Sequence, residues 1–338
     1  MSAFLLPLPD LSRWRAGNTG VEGVWRFEAG QPGPHVAVTA LVHGNELCGA
    51  WAVSGLLDKL VSGVALQRGR LTLALCNLAA FEHFDAGRPD ASRFVEEDLN
   101  RQWSVPRLAD ASTLERRRAA QLWPWLCDAD WLMDLHSMHE PGSPLLLTGT
   151  LARHVDFARA LGIGGHVVID AGHADGARLR DFGPFGDPAA EACALLIECG
   201  WHGDPYSRRV AEDAVFRLMQ LSGCIDPAQL PSHWRLAGPP ASWALTVTQA
   251  IVARSTRFRF AQPWGNLERV ARRGTLIATD DDGPVCSPYD DCVLVMPSTR
   301  QLRPGVTMVR LARCASLVAT PPLAGVPSSV SAVSIPGR

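Results

Sequence analysis

Two hydrophobic periods alternate through the first two thirds of the chain. HVAVTALV (35–42) is a β-branched apolar run with the look of a buried strand. NELCGAWAVSGLLDKL (45–60) follows at once, with Leu47, Trp51, Val53 or Ser54, and Leu57 at helical spacing. RLTLALCNL (70–78), WLMDLH (131–136), SPLLLTGT (143–150), GHVVID (165–170) and EACALLIEC (191–199) are further strand candidates. TLERRRAAQLW (113–123) reads as an amphipathic helix that Pro124 ends or kinks. ARHVDFARAL (152–161) and SRRVAEDAVFRLMQL (207–221) are helical. Strands that alternate with helices predict an α/β sheet covered on both faces.

The pattern changes near 225–242, where DPAQLPSHWRLAGPPAS is rich in proline and polar residues. Short strands then come close together: ALTVTQAIVA, TRFRF, GTLIAT, CVLVM and TMVRLA, divided by turns such as DDDGP and SPYDD. This spacing predicts a small all-β domain. The expected division is 1–230 for the α/β part, 240–318 for the β domain and 319–338 for a flexible tail.

Polar residues at the ends of apolar strands need a chemical reason. His43 and Glu46, in VHGNELCG, fall where a buried strand meets a helix, and Gly44 is expected to permit a sharp turn there. Ligands in open α/β sheets bind just beyond the carboxyl ends of strands. Asp134 and His136 close WLMDLH and share one strand face, with His139 three residues on as a rival ligand. Glu198 closes the run ALLIE, where a carboxylate is costly unless it is paired, ligated or catalytic. Two histidines and one carboxylate make a three-ligand zinc site with a position open to water. Glu198 is then left over as the general base for that water. SRFVEEDLNRQW adds Arg93, Asp98, Asn100 and Arg101, whose guanidiniums suit carboxylates and oxyanions.

Composition narrows the field. Lys+Arg total 32 against 34 Asp+Glu, so the net charge of −2 offers no footprint for nucleic acid or an anionic membrane. No apolar run approaches the ~18 residues of a membrane helix, and MSAFLLPLPDLSRW lacks a basic n-region, so a cytoplasmic location is expected. Nine cysteines without a C-x-x-C pair read as buried free thiols. Lys59 is the only lysine, which excludes Schiff-base, carrier-lysine and P-loop chemistry. There is no G-x-S-x-G for a serine hydrolase. Arg178 and Arg180 are candidates for a substrate carboxylate, with surface arginines the preferred reading, and His202 reads as a weak site-lining candidate. His35, His83, His154, His166, His173 and His233 read as ordinary polar or partly buried positions.

The ordered set HGNE, DLNR, DLH and a late strand glutamate resembles the zinc carboxypeptidase-like superfamily, most of all its succinylglutamate desuccinylase/aspartoacylase branch. The resemblance spans roughly 35–315 and implies a mixed-sheet hydrolase domain followed by a barrel-sandwich-like β domain. It implies one zinc ion held by His43, Glu46 and His136, with Asp98 orienting the first histidine. Asn100 and Arg101 would hold a substrate carboxylate, Arg93 would stabilise the carbonyl oxyanion, and Glu198 would be the general base. The implied reaction is hydrolysis of an amide in a small N-acyl amino acid. A metallocarboxypeptidase, an esterase, or a non-catalytic binding protein on the same fold are the alternatives. His139 and the segment before Glu198 depart from the family pattern, and Tyr289 reads as a turn residue packing on its own domain.

Overall fold

The computed structural model describes residues 3–172, 176–238 and 243–316. The expected tail and His173 lie outside these described residues.

In chain order the first part contains β1 (Val24–Glu28), β2 (His35–Ala40), α1 (Leu47–Val61), β3 (Arg70–Leu75) and the short α2 (Leu78–Phe81). It continues with α3 (Val105–Ala109), α4 (Leu114–Leu126), β4 (Trp131–Met138), β5 (Leu145–Thr148), α5 (Ala152–Leu161), β6 (His166–Ile169), β7 (Cys193–Trp201) and α6 (Pro205–Ser222). The second part is β8 (Trp243–Val252), β9 (Arg259–Phe260), β10 (Arg269–Val270), β11 (Leu276–Asp280), β12 (Gly283–Cys286), β13 (Cys292–Val295) and β14 (Thr307–Ser316). Each strand and long helix expected in the first part is present, with ends shifted by a few residues. Pro124 does not stop α4, which runs two residues past it. His136 does not end its strand either, since β4 continues to Met138.

An eleven-stranded mixed sheet runs in the order β1-β3-β2-β4-β7-β5-β6-β8-β14-β13-β10. Its centre is parallel: β3, β2, β4 and β7 all run the same way. Both faces are covered, as near-continuous apolar strands require. Val36, Val38 and Ala40 pack with Leu56 of α1 and Val215 of α6 on one side. Ala37 and Leu132 pack with Trp103 and Leu122 on the other. Alternation along β2 thus serves two cores at once.

Among its described regular elements the second part has only strands, with a core around Phe258, Ile277 and Leu311. It does not stand apart from the first. β8 pairs in parallel with β6, carrying the main sheet through to β14, β13 and β10. A shared apolar cluster joins Met138, Leu147 and Leu196 to Leu245, Val295 and Ala312. This continuity brings the later strands over the carboxyl ends of the central ones.

Candidate functional site

β2, β4 and β7 are neighbours, so their carboxyl ends form one ledge. After β2 the chain turns through Leu41, at a φ of 55°, and reaches His43 and then Glu46 at the N-cap of α1. Gly44 is needed here for a different reason than turn geometry. Its own φ is not left-handed, but a Cβ would lie 2.4 Å from the backbone of Ala80 and Phe81. That close approach lets its N–H donate to the Arg93 carbonyl at 3.1 Å, tying two candidate segments together.

The carboxylate of Glu46 makes no capping bond to α1 and faces two imidazoles instead. Its Oε1 is 2.8 Å from His43 Nδ1, and its Oε2 is 2.8 Å from His136 Nδ1. The opposite nitrogens are held by carboxylates: His43 Nε2 lies 2.9 Å from Asp98, and His136 Nε2 lies 2.9 Å from Asp134. Asp134 is itself fixed by the Thr39 hydroxyl, which donates at 2.6 Å. If each Nε2–H donates outward, both Nδ1 lone pairs point at a carboxylate. Three buried acceptors that converge in this way fit a cation between them. The three ligand atoms lie within 4.8 Å of one another, and two histidines with one glutamate suit a transition metal.

The side chains of the site are charge-paired: burial works against the charge on His136, but Asp134 and Glu46 overcome it and hold its pKa well above the ordinary value. Burial works against the charge on Glu46, yet His43 and His136 outweigh it and hold its pKa well below the ordinary value. Asp98 is also held well below, because His43 and Arg93 overcome its burial. Glu198 behaves oppositely: burial, then the charge of Glu46, pushes it up to about 8. Among the described residues its Oε2 has no hydrogen-bond partner.

All eight residues singled out from the sequence line one cavity of about 170 Å³: His43, Glu46, Arg93, Asp98, Asn100, Arg101, His136 and Glu198. Arg93 donates to Asp98 at 3.0 Å and approaches Glu46 at 3.5 Å. Asp98 caps the single turn Leu99–Arg101, accepting from Asn100 N–H at 2.8 Å. Asn100 Oδ1 accepts from Leu179 N–H at 3.1 Å, so its amide nitrogen is the end turned to other uses.

Several sequence expectations change here. Arg178 and Arg180 are not surface residues; they are 2% and 0% exposed. Arg178 lines the cavity and donates to Asp170 and Asp181, at 3.0 and 2.7 Å. His35 and His154 are buried. Cys286 and Cys314 are exposed thiols, while six of the nine cysteines are buried as expected. His139 is not part of the first ligand set but lines the cavity beside Arg93. Tyr289 does stay with its own segment, bonded to Thr248 and under the Arg313 guanidinium.

Three features escaped the sequence. The far wall of the cavity comes from the second part, with Asn266, Met296, Gln301, Arg303 and Arg310. Nothing in the local sequence of those residues marks them. Asp170 is the buried partner of Arg178 and Arg310. It follows the apolar run HVVI much as Glu198 follows the apolar run ALLI inside β7, and that signal was readable. Glu115 accepts the backbone N–H groups of Val95, Glu96 and Glu97 at 2.7, 3.1 and 3.1 Å, shaping the approach to Asp98.

Comparison with known proteins supplies the family and the fold. Residues 32–212, more than half of the chain, match the model of the succinylglutamate desuccinylase/aspartoacylase catalytic domain. No curated protein sequence matches the chain. Among solved structures, a succinylglutamate desuccinylase from Chromobacterium violaceum superposes with a TM-score of 0.63 at 18% identity, over 88% of this chain and 90% of that one. A succinylglutamate desuccinylase/aspartoacylase from Rhodobacter sphaeroides gives 0.60 at 19% identity, over 91% and 92%. A product-bound ectoine utilization protein from Ruegeria pomeroyi gives 0.60 at 18% identity, over 86% and 88%. At these identities the solved structures speak to the fold. Among the described residues no helix is long and apolar enough to cross a membrane.

Proposed function

The chain belongs to the succinylglutamate desuccinylase/aspartoacylase family, and we propose that it is a zinc-dependent hydrolase that deacylates a small N-acyl amino acid bearing a carboxylate. The observation that carries the reading is the meeting in one cavity of His43, Glu46 and His136 with Glu198, whose Oε2 has no hydrogen-bond partner among the described residues. Zinc held by the three ligands would polarise the scissile carbonyl and bring the pKa of a water to around 7.

The remaining work falls to side chains of this chain. Glu198 takes the proton of the attacking water and returns it to the leaving amine. Burial suits it to both tasks, since a carboxyl with a raised pKa can hold a proton as well as release one. Arg93 donates to the carbonyl oxygen as negative charge grows on it. Asp98 positions Arg93 and His43 together, through its two oxygens. Arg101 and the amide nitrogen of Asn100 hold the substrate carboxylate, which keeps the scissile carbonyl close to the reacting groups. The arginine content of the cavity favours an acidic substrate over a neutral peptide.

The test is metal content and turnover together. The purified chain should carry stoichiometric zinc, and a His43→Ala/His136→Ala variant none at that site. A panel of N-acyl amino acids should be hydrolysed faster than matched peptides or esters. A folded parent that takes up no metal, or hydrolyses only peptides, would overturn the reading.

A further inference from the structure

A second group of metal-ligand atoms lies beside the first and shares none of its residues. Asp90 Oδ1 is 2.9 Å from His139 Nδ1, and His139 Nδ1 is 3.3 Å from His202 Nε2. All three ligand atoms lie within 4.8 Å of one another. Ligands at ~2.1 Å from a tetrahedral ion stand about 3.4 Å apart, so these spacings need little adjustment. The ring pair repeats the geometry of the first site. His139 and His202 are edge-on with centroids 4.9 Å apart, and His43 and His136 are edge-on at 5.1 Å.

His202 is oriented as a ligand would be. It is 2% exposed, and its Nδ1 is held 2.8 Å from the Ser137 hydroxyl, which leaves Nε2 aimed at the other two groups. Burial lowers the pKa of both rings, that of His202 well below its ordinary value, and so favours the neutral form that can ligate. Two cations face the group, and each already has a carboxylate. Arg93 is bound to Asp98 at 3.0 Å, and Arg300, 3.8 Å from Asp90, is bound to Glu140 at 2.8 Å.

We propose that Asp90, His139 and His202 form a second divalent-cation site, for zinc or a cation of similar chemistry, on the wall of the cavity. Two imidazoles and one carboxylate favour such an ion over magnesium or calcium. The site is coupled to Arg93. At present His139 Nε2 lies 3.4 Å from Arg93 Nη1, an arrangement in which the ring accepts and Nδ1–H donates to Asp90. An ion on Nδ1 moves the ring proton to Nε2, where it faces the Arg93 N–H. Arg93 must then withdraw, so occupancy of the second site inhibits turnover.

Equilibrium dialysis against zinc, with bound metal counted per folded chain, tests this. The parent should reach two ions, the second weaker. Asp90→Asn and His202→Asn should each reach one, with second-site affinity at least tenfold lower, and circular dichroism should verify their folding. The His43→Ala/His136→Ala variant should retain one. A parent that saturates at one ion, with none left in that double variant, overturns the second site and leaves the first. Two ions in Asp90→Asn also overturns it, because the ligands are then elsewhere. One ion in both the parent and the double variant, lost in Asp90→Asn, supports the second site and removes the first.

Discussion

His136 and Glu198 are register partners on the adjacent parallel strands β4 and β7. The pairing places the proposed base directly beside a proposed zinc ligand, with Leu145 of β5 closing its other flank. Glu198→Gln keeps the shape and removes the proton acceptor. Turnover should fall by about 10²–10⁴-fold, while zinc content stays that of the parent. Steady-state kinetics with metal analysis on the same sample checks this. A variant with parental kcat would exclude Glu198 as the base.

Glu115 acts from outside the cavity. Its carboxylate also accepts from Asn77 Nδ2 at 3.1 Å, so four donors depend on one buried side chain. Glu115→Ala leaves them without a partner, at about 1–3 kcal/mol for each donor that water cannot reach. The melting temperature should drop, and kcat should drop with it as the turn carrying Asp98 and Asn100 loosens. Thermal denaturation together with kinetics below the transition would show both effects. An unchanged melting temperature would mean the loop holds itself.

Asp170 Oδ2 is shared by Arg178 at 3.0 Å and Arg310 at 3.1 Å, so one carboxylate braces both sides of the cavity. Asp170→Asn breaks two buried ion pairs, a loss of roughly 3–5 kcal/mol for a single such pair. Where the variant folds, KM for an acidic substrate should change more than kcat, because the two arginines lose their fixed positions. A change confined to kcat would argue that they do not meet the substrate.

His154 gives a pH dependence with a definite sign. Burial, helped by Arg153 and Arg180, holds its pKa down to about 4, below an ordinary value of 6.5. The unfolded chain therefore binds its proton first, and folding stability is lost as pH falls from 6.5 toward 4. The shift corresponds to about 3 kcal/mol at the acid end. His35 and His166 contribute in the same direction. His154→Leu should flatten the stability profile across that window, as followed by urea denaturation at several pH values. An identical slope in the variant would assign the acid loss to other groups.

How far the sequence carried the fold depends on the distance over which each signal acts. Buried strands such as HVAVTALV and the helix at 207–221 announce themselves by period alone. His43, His136 and Glu198 were legible because each breaks an apolar run at its end. Their adjacency was not, since strand order is a property of the whole sheet. Gly44 was legible as a necessary glycine but for the wrong cause; the neighbour that excludes a Cβ, Ala80, is 36 residues further along the chain. Arg178 looked like a surface residue because its buried counter-charge, Asp170, lies 8 positions away and pairs only in three dimensions. Arg303 and Arg310 carry no local mark at all, and only the pairing of β6 with β8 brings that stretch to the cavity.

That pairing divides the labour of the cavity between two stretches of sequence. The groups proposed to break the bond lie between positions 43 and 198, and Asn266, Met296, Gln301 and Arg303 face them from positions beyond 260. Changes in the later stretch can therefore retune which molecule fits without disturbing how it is cut. Exchange of that stretch between relatives should transfer preference while leaving the reaction in place.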